Sequence, residues 1–119
     1  MARGHVIRQK DIDNKPTRYF SSMQEKKVAK NVNGKQTANS GATPFQKGDV
    51  ASDTFLFECK TKTSDSESIS IKKEWLDKLA QEALFMGKPR EALVISFGPS
   101  SPNYYVLPEW LFNELVNKE

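Results

Sequence analysis

Three residues in the stretch KGDVASDTFLFECKTK, positions 47 to 62, have types and spacing suited to metal-assisted chemistry on a phosphate. Asp49 follows a glycine, and Glu58 and Lys60 come later in a run of Phe, Leu and Cys. Two positions apart on a β-strand, Glu58 and Lys60 point to one face. A Gly-Asp at the end of one strand and a Glu in the next bring two carboxylates within reach of one metal ion. Mg2+ takes oxygen ligands in octahedral geometry, commonly one or two carboxylates completed by water and substrate phosphate. Such an ion polarises a phosphoryl group and lowers the pKa of an attacking water. Lys60 would orient that water or stabilise the negative charge that develops on the phosphate. The carbonyl of Cys59, between the two side chains, is a further candidate ligand. A plainer reading stands beside this one. Glu58 and Lys60 would then form an ion pair on a solvated sheet face, worth about 0.2–1 kcal/mol. Asp49 would be a turn residue after Gly48.

Other residues add to the pattern or fall outside it. Glu25 has two readings. In Ser22-Met23-Gln24-Glu25 it completes an S-x-x-E capping box. It also shares a helix face with Val28, Ala29 and Val32, where a carboxylate either reaches out to water or meets a cation. Asn39, Ser40 and Gly41, with Lys35 and Lys47 nearby, offer backbone N–H groups, a hydroxyl and charge for a phosphate, or form an ordinary Gly/Ser loop. Lys62, Lys72 and Lys73 follow the candidate site. Lys72 opens a helix, where the dipole disfavours a cation, so a DNA phosphate or plain solvent exposure is needed to explain it. His5 is the single histidine, which excludes a His-based metal site. Cys59 alternates away from the Glu58 face and reads as a buried core thiol. The phosphate-loop, dinucleotide-fold and nucleophile-elbow signatures are absent.

The elements that must position these residues follow from periodicity and turn chemistry. Residues 1 to about 20 read as a basic arm, with Arg3, Arg8, Lys10, Lys15 and Arg18 among polar residues, and Pro16 disfavours a helix there. A first helix is predicted over 21–32. Residues 33 to 48 read as a loop with three of the six glycines, and Asn33-Gly34 suits a tight hairpin turn. A short strand ends at Asp49-Val50. Thr54 to Thr61 alternates Phe55, Phe57 and Cys59 against Leu56, Glu58 and Lys60. A second helix is predicted over 70–86, with Ile71, Trp75, Leu79, Ala83 and Met86 along one side, Leu76, Ala80 and Leu84 widening the stripe, and Gly87 as its stop. Residues 92–97 form a continuous apolar strand and 104–107 a short one. Pro108 suits the first turn of a last helix over 108–118. Trp75 and Trp110 then lie on amphipathic helices, in the core or at a dimer interface. The order is helix, strand, strand, helix, strand, strand, helix, which predicts a small mixed α/β sheet with helices on both faces.

Bulk composition bounds the function. The 119 residues fit one domain, an arm over 1–20 and a core over 21–119, that is 37% hydrophobic and 28% charged. One cysteine excludes an intramolecular disulfide and suggests a reducing, intracellular and cytoplasmic setting. The sequence has neither a secretory h-region nor a membrane-spanning run. The net charge of +3 is uneven: residues 1–48 carry ten Lys/Arg against three Asp/Glu, and residues 49–119 carry eight against twelve. The basic first part suggests an anionic partner.

The segment GDV … FLFECKTK resembles the PD-(D/E)XK nuclease motif, with Asp49 in the D position and Glu58-Cys59-Lys60 as E-X-K. Gly48 stands where the motif has proline. Over roughly residues 22 to 97, including QEKKVAKNVNGKQTANSGATPFQKGDV and SISIKKEWLDKLAQEALFMGKPREALVISF, the chain is similar to the small Holliday-junction-resolvase-like nucleases of phages and archaea. The resemblance implies a restriction-endonuclease-like core, a mixed four- to five-stranded sheet flanked by helices. It implies Mg2+ or Mn2+ held by Asp49, Glu58, the Cys59 carbonyl and, through water, Glu25, with Lys60 as catalytic lysine. Ser40-Gly41 matches the Ser-Gly near the active site of that group, and Lys72 lies where many members place a further polar residue. The basic arm and the last helix have no counterpart.

The function expected from these residues is a metal-dependent endodeoxyribonuclease for branched DNA, a Holliday junction resolvase acting as a homodimer, with no membrane association. The alternatives are a nuclease for nicked, flapped or linear DNA, a non-catalytic DNA-binding module, and an interaction protein whose charges are superficial. The arm makes one part of this testable. Deleting residues 1 to 15 is expected to weaken DNA binding and flatten its dependence on salt, because fewer phosphates are then neutralised and fewer counterions released. Anisotropy titrations of labelled DNA at several salt concentrations measure the slope, and an unchanged slope removes the arm from the interface.

Overall fold

In the computed structural model, residues 17–37 and 48–118 are described. They form three helices and one five-stranded mixed sheet of order β1-β2-β3-β4-β5. Helix α1 covers Thr17–Asn31, β1 Lys35–Gln36, β2 Val50–Ala51 and β3 Phe55–Thr61. They are followed by α2 at Lys73–Phe85, β4 at Arg90–Ser96, β5 at Asn103–Val106 and α3 at Glu109–Val116. The α/β class and the mixed sheet expected from the sequence are present. Among the described residues no helix is long and apolar enough to cross a membrane.

The centre of the sheet is the parallel pair β3–β4, seven residues long from Phe55↔Arg90 to Thr61↔Ser96. Parallel strands need a crossover connection, which α2 supplies. β4 is buried from Ala92 through Ser96 because it has neighbours on both edges and apolar layers on both faces. The alternation of β3 divides those layers. Phe57 and Cys59 pack with Val28 of α1, Val50, Ala92 and Val94 on one face. Leu56 packs with Leu79 and Ala83 of α2, Leu93 and Ile95 on the other. Glu58 and Lys60 continue the Leu56 face and therefore point toward α2.

Several boundaries differ from the sequence expectation, each for a local physical reason. Helix α1 already includes Thr17, so Ser22 and Glu25 lie within it and form no capping box. Its buried residues Phe20, Gln24, Glu25 and Val28 hold one stripe against the sheet. Asn33-Gly34 closes this helix instead of turning a hairpin. Asn33 is left-handed at φ 55°. The Gly34 N–H donates to the Ala29 carbonyl at 2.8 Å and the Asn33 N–H to Lys30 at 3.5 Å, the two bonds of a Schellman end. The chain then makes β1 inside the stretch expected to be loop, pairing Lys35↔Ala51 and Gln36↔Val50. Helix α2 starts at Lys73, not 70, so Ile71 stays outside it and exposed, and Leu84 is 81% exposed rather than part of the stripe. The expected stop at Gly87 holds: Gly87, at φ 71°, and Lys88 donate to Leu84 and Ala83 at 3.1 and 2.8 Å. Pro108 is the N-cap of α3 rather than a residue of its first turn. Trp75 packs partly buried against the α2-side core, whereas Trp110 is about half exposed.

The turn into β2 fixes the position of Asp49. Gly48 has φ 70°, and a Cβ there would meet Leu56 Cγ at 2.9 Å and the Phe57 carbonyl oxygen at 3.1 Å. The Asp49 N–H donates to the Phe57 carbonyl at 2.9 Å, and its own carbonyl accepts from Thr37 N–H at 3.0 Å. Thr37 Oγ1 also donates to the Gly48 carbonyl at 2.6 Å. Gly48→Ala is expected to destabilise the fold by about 1–3 kcal/mol, since a side chain must take a left-handed conformation in occupied space. Urea denaturation measures this, and a wild-type midpoint would show that the turn rebuilds without cost.

Candidate functional site

Strand β2 accompanies β3 for only two residues, Val50↔Phe57 and Ala51↔Leu56. Past Phe57 the two strands part. The first β3 donor beyond the ladder is the Cys59 N–H, and the Asp49 side chain takes it, with Oδ2 at 2.8 Å. Asp49 thus carries one carboxylate at the fork between the strands. Glu58 and Lys60 leave β3 at the same place, with Lys60 Nζ 3.7 Å from Glu58 Oε2. The structure therefore brings together the three residues first singled out in the sequence.

The electrostatics show the strain of this arrangement. The Glu58 carboxyl is pushed up to about 7, first by burial, then by the negative charge of Asp49, with Lys60 acting against both. Its side chain is 19% exposed, so the fold disfavours the ionised form. The net rise already includes the attraction of Lys60, whose ammonium is a third exposed and offsets the other two causes only in part. Repulsion and desolvation win, so the site lacks positive charge. Glu25, on α1, is buried and accepts from Gln36 Nε2 at 3.3 Å. Burial and the Asp49 charge raise its carboxyl, while Gln36 and Arg18 act in the opposite direction. Glu25 thus feels Asp49 from the α1 side of the sheet, and Glu58 feels it from the α2 side. Cys59 is buried with its thiol pushed far up by desolvation and by the same carboxylates, as a core thiol should be.

A fourth carboxylate was not singled out in the sequence. Glu82 of α2 is raised mainly by burial and also by Asp49, and it accepts from the Gly48 N–H and pairs with Lys78 at 3.7 Å. Its Oε1 is buried without a hydrogen-bond partner among the described residues. The signal for it was present. Trp75, Leu79, Glu82 and Met86 recur at helical spacing, which sets Glu82 inside the apolar stripe rather than on the solvated face.

The remaining candidates are scattered. Lys35 is exposed on edge strand β1, and Lys62 is exposed just past β3, with its N–H on the Ser96 carbonyl at 3.1 Å. Lys72 is the exposed N-cap residue of α2, with no side-chain capping bond. Asn39, Ser40, Gly41 and Lys47, and the basic arm up to residue 16, lie outside the described residues. Among those described, no group of three His, Cys, Asp or Glu side chains is gathered to hold a metal ion. Asp49 and Glu58 offer two hard oxygen donors short of positive charge, which fits an ion that completes its shell with water and substrate. Comparison of the chain with protein-family models, with curated proteins and with solved structures finds no match.

With four carboxyls raised, those of Glu25, Glu58, Glu82 and, by burial on β4, Glu91, the native state binds protons more tightly than the unfolded chain does. Stability should therefore fall as pH rises from about 4.5, the ordinary glutamate value, through about 7. In the absence of divalent ions, thermal melts across this window are expected to show that fall. Glu58→Gln should reduce it, because an amide cannot ionise. Parallel curves for the two proteins would mean that ionised Glu58 is not penalised.

Proposed function

We propose that the chain is a divalent-metal-dependent endodeoxyribonuclease of the PD-(D/E)XK kind that hydrolyses phosphodiester bonds in branched DNA, as a homodimeric Holliday junction resolvase. The observation that carries this reading is the fork: Asp49 anchored on Cys59 N–H, with Glu58 and Lys60 beside it. Two repelling carboxylates and one ammonium at a strand end suit a bound cation and an anionic substrate. An ordinary surface ion pair needs neither the burial of Glu58 nor the second carboxylate.

In this reading Asp49 and Glu58 hold Mg2+ or Mn2+, with the Cys59 carbonyl as a further donor and Glu25 reaching the ion through water. The ion, when bound, supplies Lewis-acid polarisation of the phosphate and acidifies a coordinated water. Lys60 donates hydrogen bonds to that water or to a non-bridging phosphate oxygen, where charge grows as the new O–P bond forms and the leaving P–O bond breaks. Lys35, Lys62 and Lys72 are exposed cations that suit backbone phosphates, and selection rests on DNA shape rather than base edges. The mixed sheet with its parallel central pair and α2 crossover supports a restriction-endonuclease-like core. Two symmetric cuts need two sites related by a two-fold axis. Exposed Trp110, Phe112, Leu115 and Val116 on α3, with Tyr104 and Tyr105 on edge strand β5, offer apolar surface for a second copy.

The test uses a labelled four-way junction, a linear duplex of the same sequence and a single strand, each with Mg2+ or Mn2+. Paired nicks confined to the junction are expected, lost with EDTA and in Lys60→Ala, which should still bind the junction. Cleavage of all three DNAs would keep the nuclease and discard the resolvase. Junction binding without cleavage would leave a DNA-binding module, and cleavage by Lys60→Ala at the wild-type rate would sink the site assignment.

A further inference from the structure

Lys60 has a second neighbour besides Glu58. Its Nζ lies 4.6 Å from the centroid of the Trp75 ring. Lys72 Nζ lies 5.9 Å from the same ring. An ammonium within about 6 Å of an aromatic face is held by the ring quadrupole, and indole holds it best. Trp75 is itself fixed. It sits in the first turn of α2, its N–H donating to the Lys72 carbonyl at 3.0 Å, and packs against the cluster of Leu56, Leu79, Ala83, Leu93 and Ile95. The ring is therefore a platform set by the core, under a lysine whose four-carbon stem would otherwise spread its ammonium over several rotamers.

The two anchors of Lys60 differ in kind. Glu58 attracts the ammonium as a charge, and the same charge is what a cation would share. Trp75 attracts it without a formal charge and offers no oxygen to a metal, so its hold persists when Glu58 is otherwise engaged. A group that stabilises a transition state must be held to within a fraction of an ångström, and this is the task of its supporting contacts.

We propose that Trp75 is the positioning residue for Lys60: its indole face holds the ammonium in register with the scissile phosphate, with Lys72 as a second cation on the same platform. The inference rests on the nuclease reading above, and the test separates the two. The chain has two tryptophans, so Trp110→Phe leaves Trp75 as the only indole. In that background Lys60→Met, which keeps an unbranched stem and removes the charge, is expected to move the Trp75 emission maximum. An unmoved maximum overturns the contact whether or not the protein cuts DNA. In junction cleavage with Mn2+, Trp75→Leu is expected to lower kcat by about tenfold with KM little changed, and Trp75→Phe, which keeps a ring, to recover most of the loss. If the wild type cuts and Trp75→Leu keeps its kcat, or Leu and Phe lose equally, the inference falls alone. A wild type that cuts nothing removes the nuclease reading and the inference with it. Melting temperatures are measured for each variant; should Trp75→Leu fail to fold, the emission shift and the Trp75→Phe kcat decide.

Discussion

The architecture turns on one unfinished ladder. β3 carries the centre of the sheet and is paired along its whole length with β4, yet β2 accompanies it for only two residues. The next donor, the Cys59 N–H, would cost about 1–3 kcal/mol if left buried and unpaired. The Asp49 side chain satisfies it and is thereby held at the mouth of the fork. Its backbone is held from both sides as well, by Phe57 and Thr37. The carboxylate is placed by the same bonds that complete the sheet, so the site and the fold cannot be adjusted separately.

This placement works against stability. The charge of Asp49 acts on Glu25 of α1, Glu58 of β3 and Glu82 of α2, and raises all three. Within the described residues the compensation is partial, from Lys60, Lys78, Arg18 and the Gln36 amide. Strongly shifted carboxyls occur at functional sites and in structural ion-pair networks alike, and here the like charges are only partly offset. The apolar layers on the two faces absorb the cost. β4 is buried over five successive residues, and Leu56, Leu93, Val94 and Leu111 are fully buried.

How far this was legible in the sequence depends on the range of the interaction involved. Strand alternation is local, so the division of Leu56, Glu58 and Lys60 from Phe57 and Cys59 could be read directly, and so could the stop at Gly87. The pairing of Asp49 with Glu58 followed from two short strands and a tight connection. What failed depended on contacts between distant segments or on competing local rules. The capping motif at Ser22 was overridden because the helix stripe extends back to Phe20, which packs in the core. Asn33-Gly34 suits a hairpin and a helix end equally well, and Ala29, still inside the helix, decided for the latter. β1 is two residues long and exists only because Val50 and Ala51 offer it an edge. Glu82 sat in plain view on the apolar stripe, but its link to Gly48 bridges 34 positions of sequence. The Trp75 ring was expected in the core or at an interface, and only the fold shows that Lys60 lies across it.

The single sulfhydryl has a practical side. Thiolate is the form that alkylates, oxidises and exchanges, and in Cys59 it is suppressed by burial and by surrounding negative charge. While the chain is folded, thiol-directed reagents in the solvent meet no exposed native thiolate. A cysteine introduced on an exposed face would be the one reactive handle, so a dye or spin probe could be attached at a chosen point without first removing the natural residue.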